Sequence, residues 1–191
     1  MRISNSRGYT LIELLITIAI LGVIVGVIST TFLTAYRGYV KSRVINQLQE
    51  DGNRIMSQLS RYARSSIEAT TTANSITFTL DQDSIEYAEN GQCQTVVVTY
   101  TAQTGSANGR LNVTAPSCGS FNSGGVITDT NTKTGISITG FSVSVTDNGT
   151  TNTQEISMKL TFAQAVRAPT LGEYQGDIEL ETQVTTRSYI R

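Results

Sequence analysis

A chain of 191 residues, 39% of them hydrophobic, has room for one soluble domain and one membrane segment. Its net charge of −1 supplies no global basic field of the kind nucleic-acid recognition uses. The absence of His excludes a Ser–His or Cys–His nucleophile and removes the commonest general base. With no Gly-rich phosphate loop and no Cys/His cluster either, the composition argues against an enzyme and against a bound cofactor or metal.

Residues 1–8 form a short leader, cationic through Arg2 and Arg7 and lacking an apolar core. Without it the chain would carry 12 basic against 15 acidic residues, a net charge of −3. The next stretch is apolar. From Leu14 to Ile28 there is no charge, and Thr17 is the one polar side chain. With its flanks out to Leu33 this is about the ~20 residues a bilayer-spanning helix needs. Glu13 sits at the start of this segment, where an ionised group is costly: roughly 2.5–3.5 kcal/mol at a membrane-helix centre, less toward an end. A cationic partner is expected. Cutting the chain after Gly8 would create one, because a free α-amino group at Tyr9 is mostly protonated at neutral pH. Tyr9 and Glu13 lie at the same end of one helix, so the amine of an axially shifted neighbour is the better match, and the pair becomes a device for ordered assembly.

The run Gly8-Tyr9-Thr10-Leu11-Ile12-Glu13-Leu14-Leu15 resembles the class III signal and N-methylation motif of type IV pilins and type II secretion pseudopilins. Tyr9 stands where the usual form has Phe. The resemblance implies cleavage between Gly8 and Tyr9 by a membrane prepilin peptidase, methylation of the Tyr9 amine, and Glu13 as its counter-charge in a neighbouring subunit. It also implies the partners: other pilins or pseudopilins, the peptidase, an inner-membrane assembly platform and membrane lipid. The competing reading is an uncleaved signal anchor with Glu13 at the interface. An ordinary signal peptide fits poorly, since no A-x-A-like site follows Ile28.

Gly22 and Gly26 make a GxxxG pair that lets membrane helices approach closely, or they are simply glycines of a membrane helix. Gly22 resembles the family position where the helix can unwind on assembly; Thr30 occupies the place where many major pilins carry Pro. Beyond the membrane there is no Pro from Tyr36 to Ile67, and Val44, Leu48, Ile55, Leu59 and Tyr62 recur at amphipathic-helix spacing. One helix from Tyr9 to about Ile67 is expected. Its outer half is basic: Arg37, Lys41, Arg43, Arg54, Arg61 and Arg64 against Glu50 and Asp51. These residues read as a solvated face, as lipid-headgroup contacts or as contacts with acidic neighbouring subunits.

Residues 69–75 are read as the small, polar end of the helix. Strands are expected at 76–80, 84–87, 93–101, 110–114, 136–138, 141–145, 156–162 and 178–190, with a hairpin turn at Glu89-Asn90-Gly91 and a stronger one at Asp147-Asn148-Gly149. Residues 116–135 and 168–176 read as loops. The fold class is α+β, a long N-terminal helix packed on an antiparallel sheet, the pilin layout. Its divisions are a leader 1–8, a membrane and assembly half of the helix 9–34, an amphipathic half 35–69 and an extracytoplasmic β domain 70–191.

Cys93 and Cys118 both fall in that last region; outside the cytoplasm they would be bridged, and in a reducing setting they would be two free buried thiols. Asp81 and Asp83 could offer oxygens to Ca²⁺, but two carboxylates at a turn are more often a solvated turn. The sequence thus suggests a structural subunit, a minor pilin or a J-type-like pseudopilin of the larger, tip-located kind, with no catalytic residues. Before assembly it would be a single-pass protein of the cytoplasmic membrane with its N-terminus inside, by the positive-inside rule; afterwards it would be part of an extracytoplasmic filament. A DNA-uptake pilus subunit or a major pilin is the alternative, though the acidic balance beyond Ala69 speaks against nucleic acid.

Overall fold

The computed structural model describes residues 9–89, 91–116, 118, 124–149, 153–169 and 175–187. It has two compact units, residues 1–40 and 41–191. The first helix, α1 (Leu11–Ser65), runs through the boundary. The α+β layout expected from the sequence is the one observed: one long helix, then antiparallel sheets.

In the first unit the described residues are helical and their large apolar side chains are open to the surroundings, Leu11 at 78% and Val23 at 68% exposure. Four threonine hydroxyls are folded back into the helix. Thr17 donates to the Leu14 carbonyl at 2.8 Å, Thr30 and Thr31 to that of Val27 at 2.9 Å, and Thr34 to that of Thr30 at 2.9 Å. These four hydroxyls are satisfied within their own helix, which is the condition lipid imposes. Among the described residues, α1 is the one helix long and apolar enough to cross a membrane.

In the second unit the sequence stripe becomes a buried face: Leu48, Ile55, Leu59 and Tyr62 are each at most 2% exposed. They pack into one core with the inner faces of two sheets. The first sheet is a meander of β1 (Ser66–Thr72), β2 (Ser75–Leu80), β3 (Thr95–Thr101), β4 (Arg110–Thr114) and β5 (Gly125–Val126), paired in chain order. The second is β6 (Ile136–Asn148), β7 (Thr153–Gln164) and β8 (Asp177–Thr185), also in order. Clean period-2 alternation puts Ile76, Phe78 and Leu80 of β2, and Ile156, Met158, Leu160 and Phe162 of β7, wholly inside.

Gly52 explains how the helix comes so close. A Cβ there would lie 2.7 Å from Leu180 Cδ1 and 3.2 Å from the Phe162 ring. Gly52→Ala is expected to be near neutral: the leucine tip can rotate aside, and the helix-propensity gain of about 1 kcal/mol offsets the crowding. Gly52→Leu should cost about 3 kcal/mol. Chemical denaturation of both variants checks the pair, and equal midpoints for wild type and Gly52→Leu would show that the contact does not matter.

The two sheets are stitched at Gly109. Its N–H donates to Ser137 Oγ at 2.9 Å, its carbonyl accepts from the Ile138 N–H at 3.0 Å, and Ser137 Oγ donates to Gln103 Oε1 at 2.6 Å. The Tyr100 hydroxyl donates to the Ile138 carbonyl at 3.2 Å, and its ring stacks on Phe141 at 5.5 Å. Desolvation in this seam raises the Tyr100 phenol above its ordinary value. At the far end Arg187 closes the domain, pairing with the buried Asp81 at 3.1 Å while its N–H reaches the Ser66 carbonyl at 3.0 Å.

Five sequence expectations need correction. Residues 66–72 are a strand rather than the tail of the helix, because β1 finds a partner in β2 across a two-residue turn at Ala73 and Asn74. The strand expected at 84–87 is a short helix, α2 (Ile85–Glu89). Local capping wins there: Asp81 Oδ1 accepts from the Asp83 N–H, and Ser84 Oγ accepts from the Tyr87 N–H at 3.2 Å. Glu89 and Gly91 therefore end a helix instead of forming a hairpin. Gly91 has φ 76°, and the Gln92 N–H returns to the Tyr87 carbonyl at 2.9 Å. Asn90 lies outside the described residues. The two strands expected at 136–138 and 141–145 are one continuous β6, carried past Gly140 by a register shift between Ile138 and Gly140. A two-residue strand, β5, also falls inside the loop expected at 116–135.

Cys93 and Cys118 form a disulfide with Cα atoms 5.5 Å apart, within the normal span of the bond. The hairpin expected at Asp147-Asn148-Gly149 joins β6 to β7; residues 150–152 lie outside the described residues, as does the end of the strand expected at 178–190 beyond residue 187.

Candidate functional site

The site expected to matter is the start of α1. Tyr9 is 82% exposed and precedes the helix; the other half of the cleavage junction, Gly8, lies outside the described residues. Thr10 opens the helix. Its carbonyl accepts from the Glu13 and Leu14 N–H groups at 3.1 and 3.2 Å, and its hydroxyl lies 3.4 Å from the Glu13 N–H. Thr10-Leu11-Ile12-Glu13 is therefore an S/T-x-x-E capping signature, with the helix dipole favouring a carboxylate in the first turn. Sequence reasoning that took Glu13 only as a counter-charge missed this second role, although the spacing that reveals it is in the sequence.

Glu13 is exposed on an apolar helix, and among the described residues it forms no ion pair. It lies one turn from Tyr9, about 6 Å along the axis. Gly22 and Gly26 lie about two and a half and three and a half turns past Glu13, and a Cβ on either would meet nothing within 4 Å. This absence of packing leaves an open notch along the helix, where a second helix could approach to backbone distance. The structure thus sets Tyr9 and Glu13 at one end of an unpartnered apolar rod, with the glycine pair below them on the same element. It brings Cys93 and Cys118 together as a crosslink elsewhere.

The other polar concavity is self-satisfied. A cleft of about 720 Å³ where β1 and β2 meet the β6–β7 hairpin is lined by Glu68, Asp81, Gln94, Asp147 and Gln154 among others. Gln154 Nε2 donates to Asp147 Oδ1 at 2.7 Å, its Oε1 accepts from the Ala69 N–H at 2.5 Å, and Arg187 holds Asp81. These groups knit the sheets together. Asp81 and Asp83, the possible Ca²⁺ oxygens, form the turn that leads into α2, with Asp81 already engaged by Arg187.

A family model described as the prokaryotic N-terminal methylation motif matches residues 3–29. No curated protein and no solved structure matches the chain. The match spans the leader from Ile3 onward, Tyr9, Glu13 and both helix glycines, and it ends where the apolar helix leaves its most hydrophobic stretch. With the long apolar helix that carries it, this N-terminal methylation motif is consistent with a type IV prepilin-like protein.

Proposed function

We propose that the chain is a structural subunit of a type IV pilus or a type II secretion-like filament, in the role of a minor pilin or pseudopilin. A prepilin peptidase cuts between Gly8 and Tyr9 and the new Tyr9 amine is methylated. Residues 9–34 hold the subunit in the cytoplasmic membrane with the leader inside, residues 35–69 continue as the amphipathic half of the helix, and residues 70–191 form the domain on the far side. An assembly platform then moves the helix into a filament beside other pilin-type subunits. The single observation that carries this reading is Glu13: a carboxylate on an exposed apolar helix, with no ion pair among the described residues. In lipid it needs a cation, and the amine of a neighbour shifted along the axis supplies one.

The test is Glu13→Ala in the full chain, with mass spectrometry of the N-terminal peptide in sheared filaments and in residual membrane. Cleaved, methylated Tyr9 is expected in both variants, because processing precedes assembly. The filament fraction of Glu13→Ala should fall about tenfold or more, the equivalent of losing about 1.4 kcal/mol of pairing. Equal incorporation would overturn the amine–carboxylate mechanism, and an intact leader in the wild type would overturn the whole reading.

A further inference from the structure

The second unit carries two charged faces on opposite sides of its two layers. At 100° per residue along α1, Arg43 and Arg61 share one azimuth and Arg54 lies within about 20° of it. The buried Leu48, Ile55, Leu59 and Tyr62 point the other way. With Arg64 and the one acid Glu50, this outward stripe has a net charge of +3, and all five residues are exposed. On the opposite side, alternation along β7 buries Ile156 through Phe162 and turns Glu155 and Lys159 outward. The register places Glu181 beside Lys159 and leaves Asp177 and Glu179 on the same outer face, a net charge of −3.

Each face forms one ion pair among the described residues. Arg54 reaches Asp51 only at 3.8 Å and is 65% exposed. Arg43, Arg61 and Arg64 form no ion pair among the described residues, and nor do Glu155, Asp177 and Glu181. Lys159 pairs with Glu179 at 2.8 Å, one cation among four acids. Arg54 and Arg61 are about 10 Å apart along the helix, and Asp177 and Glu181 about 13 Å apart along β8, a mismatch that arginine side chains can span.

We propose that the arginine stripe of α1 in one copy of this chain docks on the acidic outer face of β6–β8 in a second copy. The inference rests on the filament reading and deepens it: the chain then recurs in adjacent copies, as a major pilin or a repeating pseudopilin does and a minor or tip subunit does not. A face of one sign cannot meet itself, so a two-fold dimer through either face is disfavoured. Opposite signs on opposite sides make the contact head to tail, and such a contact repeats as an open filament when its rotation does not close. An anionic polymer could also cover the arginines, but it would leave the matching acidic face unused. Exposed ion pairs are individually weak and screened by salt, so this contact sets the register of neighbours that the apolar helices hold together.

The experiment is disulfide trapping between two full-length chains co-expressed in their own membranes, one carrying Arg61→Cys and the other Glu181→Cys. Mild oxidation should give a crosslinked dimer containing both variants, and adding Arg54→Glu to the first chain should reduce it at least about fivefold. Glu179→Lys in the second chain should then restore it to within about twofold, a rescue that misfolding would not show. Intact Cys93–Cys118 mobility on non-reducing gels controls for the fold. No dimer above single-variant background overturns the proposal, as does a dimer indifferent to charge reversal. A crosslink of Arg61→Cys to a different protein, or Arg54-dependent retention on DNA or anionic vesicles without the dimer, overturns the second copy as occupant. Sheared filaments that contain methylated Tyr9 but show no dimer overturn the docking and leave the filament reading intact. Wild-type chain missing from filaments while the dimer forms does the reverse.

Discussion

Gly109→Ala is expected to lower the stability of the second unit by about 3–5 kcal/mol, because a Cβ there meets the shortest contact found at any of the described glycines tested. A Cβ at Gly109 would lie 1.9 Å from the Ile138 carbonyl oxygen and 2.9 Å from its carbon, with the Gln103 nitrogen at 3.2 Å. All three are backbone atoms, and none can rotate away. Overpacking alone typically costs about 1–3 kcal/mol. Here it also pries apart the Gly109–Ile138 and Gly109–Ser137 hydrogen bonds, at about 1 kcal/mol each. Moving the Ile138 carbonyl would further strain the bond it accepts from Tyr100. For a unit of this size, about 2–4 °C per kcal/mol predicts a Tm roughly 10 °C lower. Near-UV circular dichroism of the full chain in detergent micelles reads the change through the tyrosines. Gly105→Ala is the control: a Cβ there meets nothing within 4 Å, so a shift within about 0.5 kcal/mol is expected. A Gly109→Ala chain that melts with wild type would show that the two sheets are not held through this seam.

Removing the Cys93–Cys118 bond should cost roughly 3–4 kcal/mol, the chain entropy returned to the unfolded state by opening a loop of 25 residues. The bond joins the segment after α2 to the segment after β4, two connections that share no strand pairing of their own. The double variant Cys93→Ser, Cys118→Ser should therefore melt about 10 °C below wild type, and wild type in excess dithiothreitol should approach the same value. Buried Cys93, at 2% exposure, makes reduction slower than reduction of an open disulfide. If the reduced wild type and the double variant both keep the parental Tm, the crosslink adds nothing to the fold.

The effects of Glu13→Ala and of the charge reversals differ from these two in kind. They are expected to change how subunits associate while leaving the isolated domain as it was. Thermal melts of Glu13→Ala and Arg54→Glu should match wild type within about 0.5 kcal/mol, as expected of exposed side chains away from caps and cores, apart from a small loss at the first turn of α1 where Glu13 follows Thr10. The separation of fold and assembly follows from where the residues lie: the core uses one side of α1, and the proposed contacts use its opposite side and its apolar beginning.

What the sequence by itself determined is what short-range chemistry decides. The basic residues Arg2 and Arg7, the motif from Gly8 to Leu15 and the uninterrupted apolar run are legible because a membrane-length apolar helix is a matter of composition within about twenty residues. The amphipathic stripe from Val44 to Tyr62 and the alternation in β2, β4 and β7 are legible because burial on one face imposes a period that local sequence must keep. The Asp147-Asn148-Gly149 signal placed a hairpin for the same reason. Only the tertiary structure decided the rest. Residues 66–72 look like a polar helix tail until β2 is there to pair with them. Residues 84–87 alternate like a strand, but Asp81 and Ser84 supply a turn and a cap before any partner strand can compete. Nothing in the sequence marks what Gly52 and Gly109 do; it comes from Leu180 and Ile138, far along the chain and adjacent in space. The opposed charges of α1 and β8 are likewise invisible until the fold turns one face of each outward, because side-chain direction belongs to the packed elements and charge alone to the sequence.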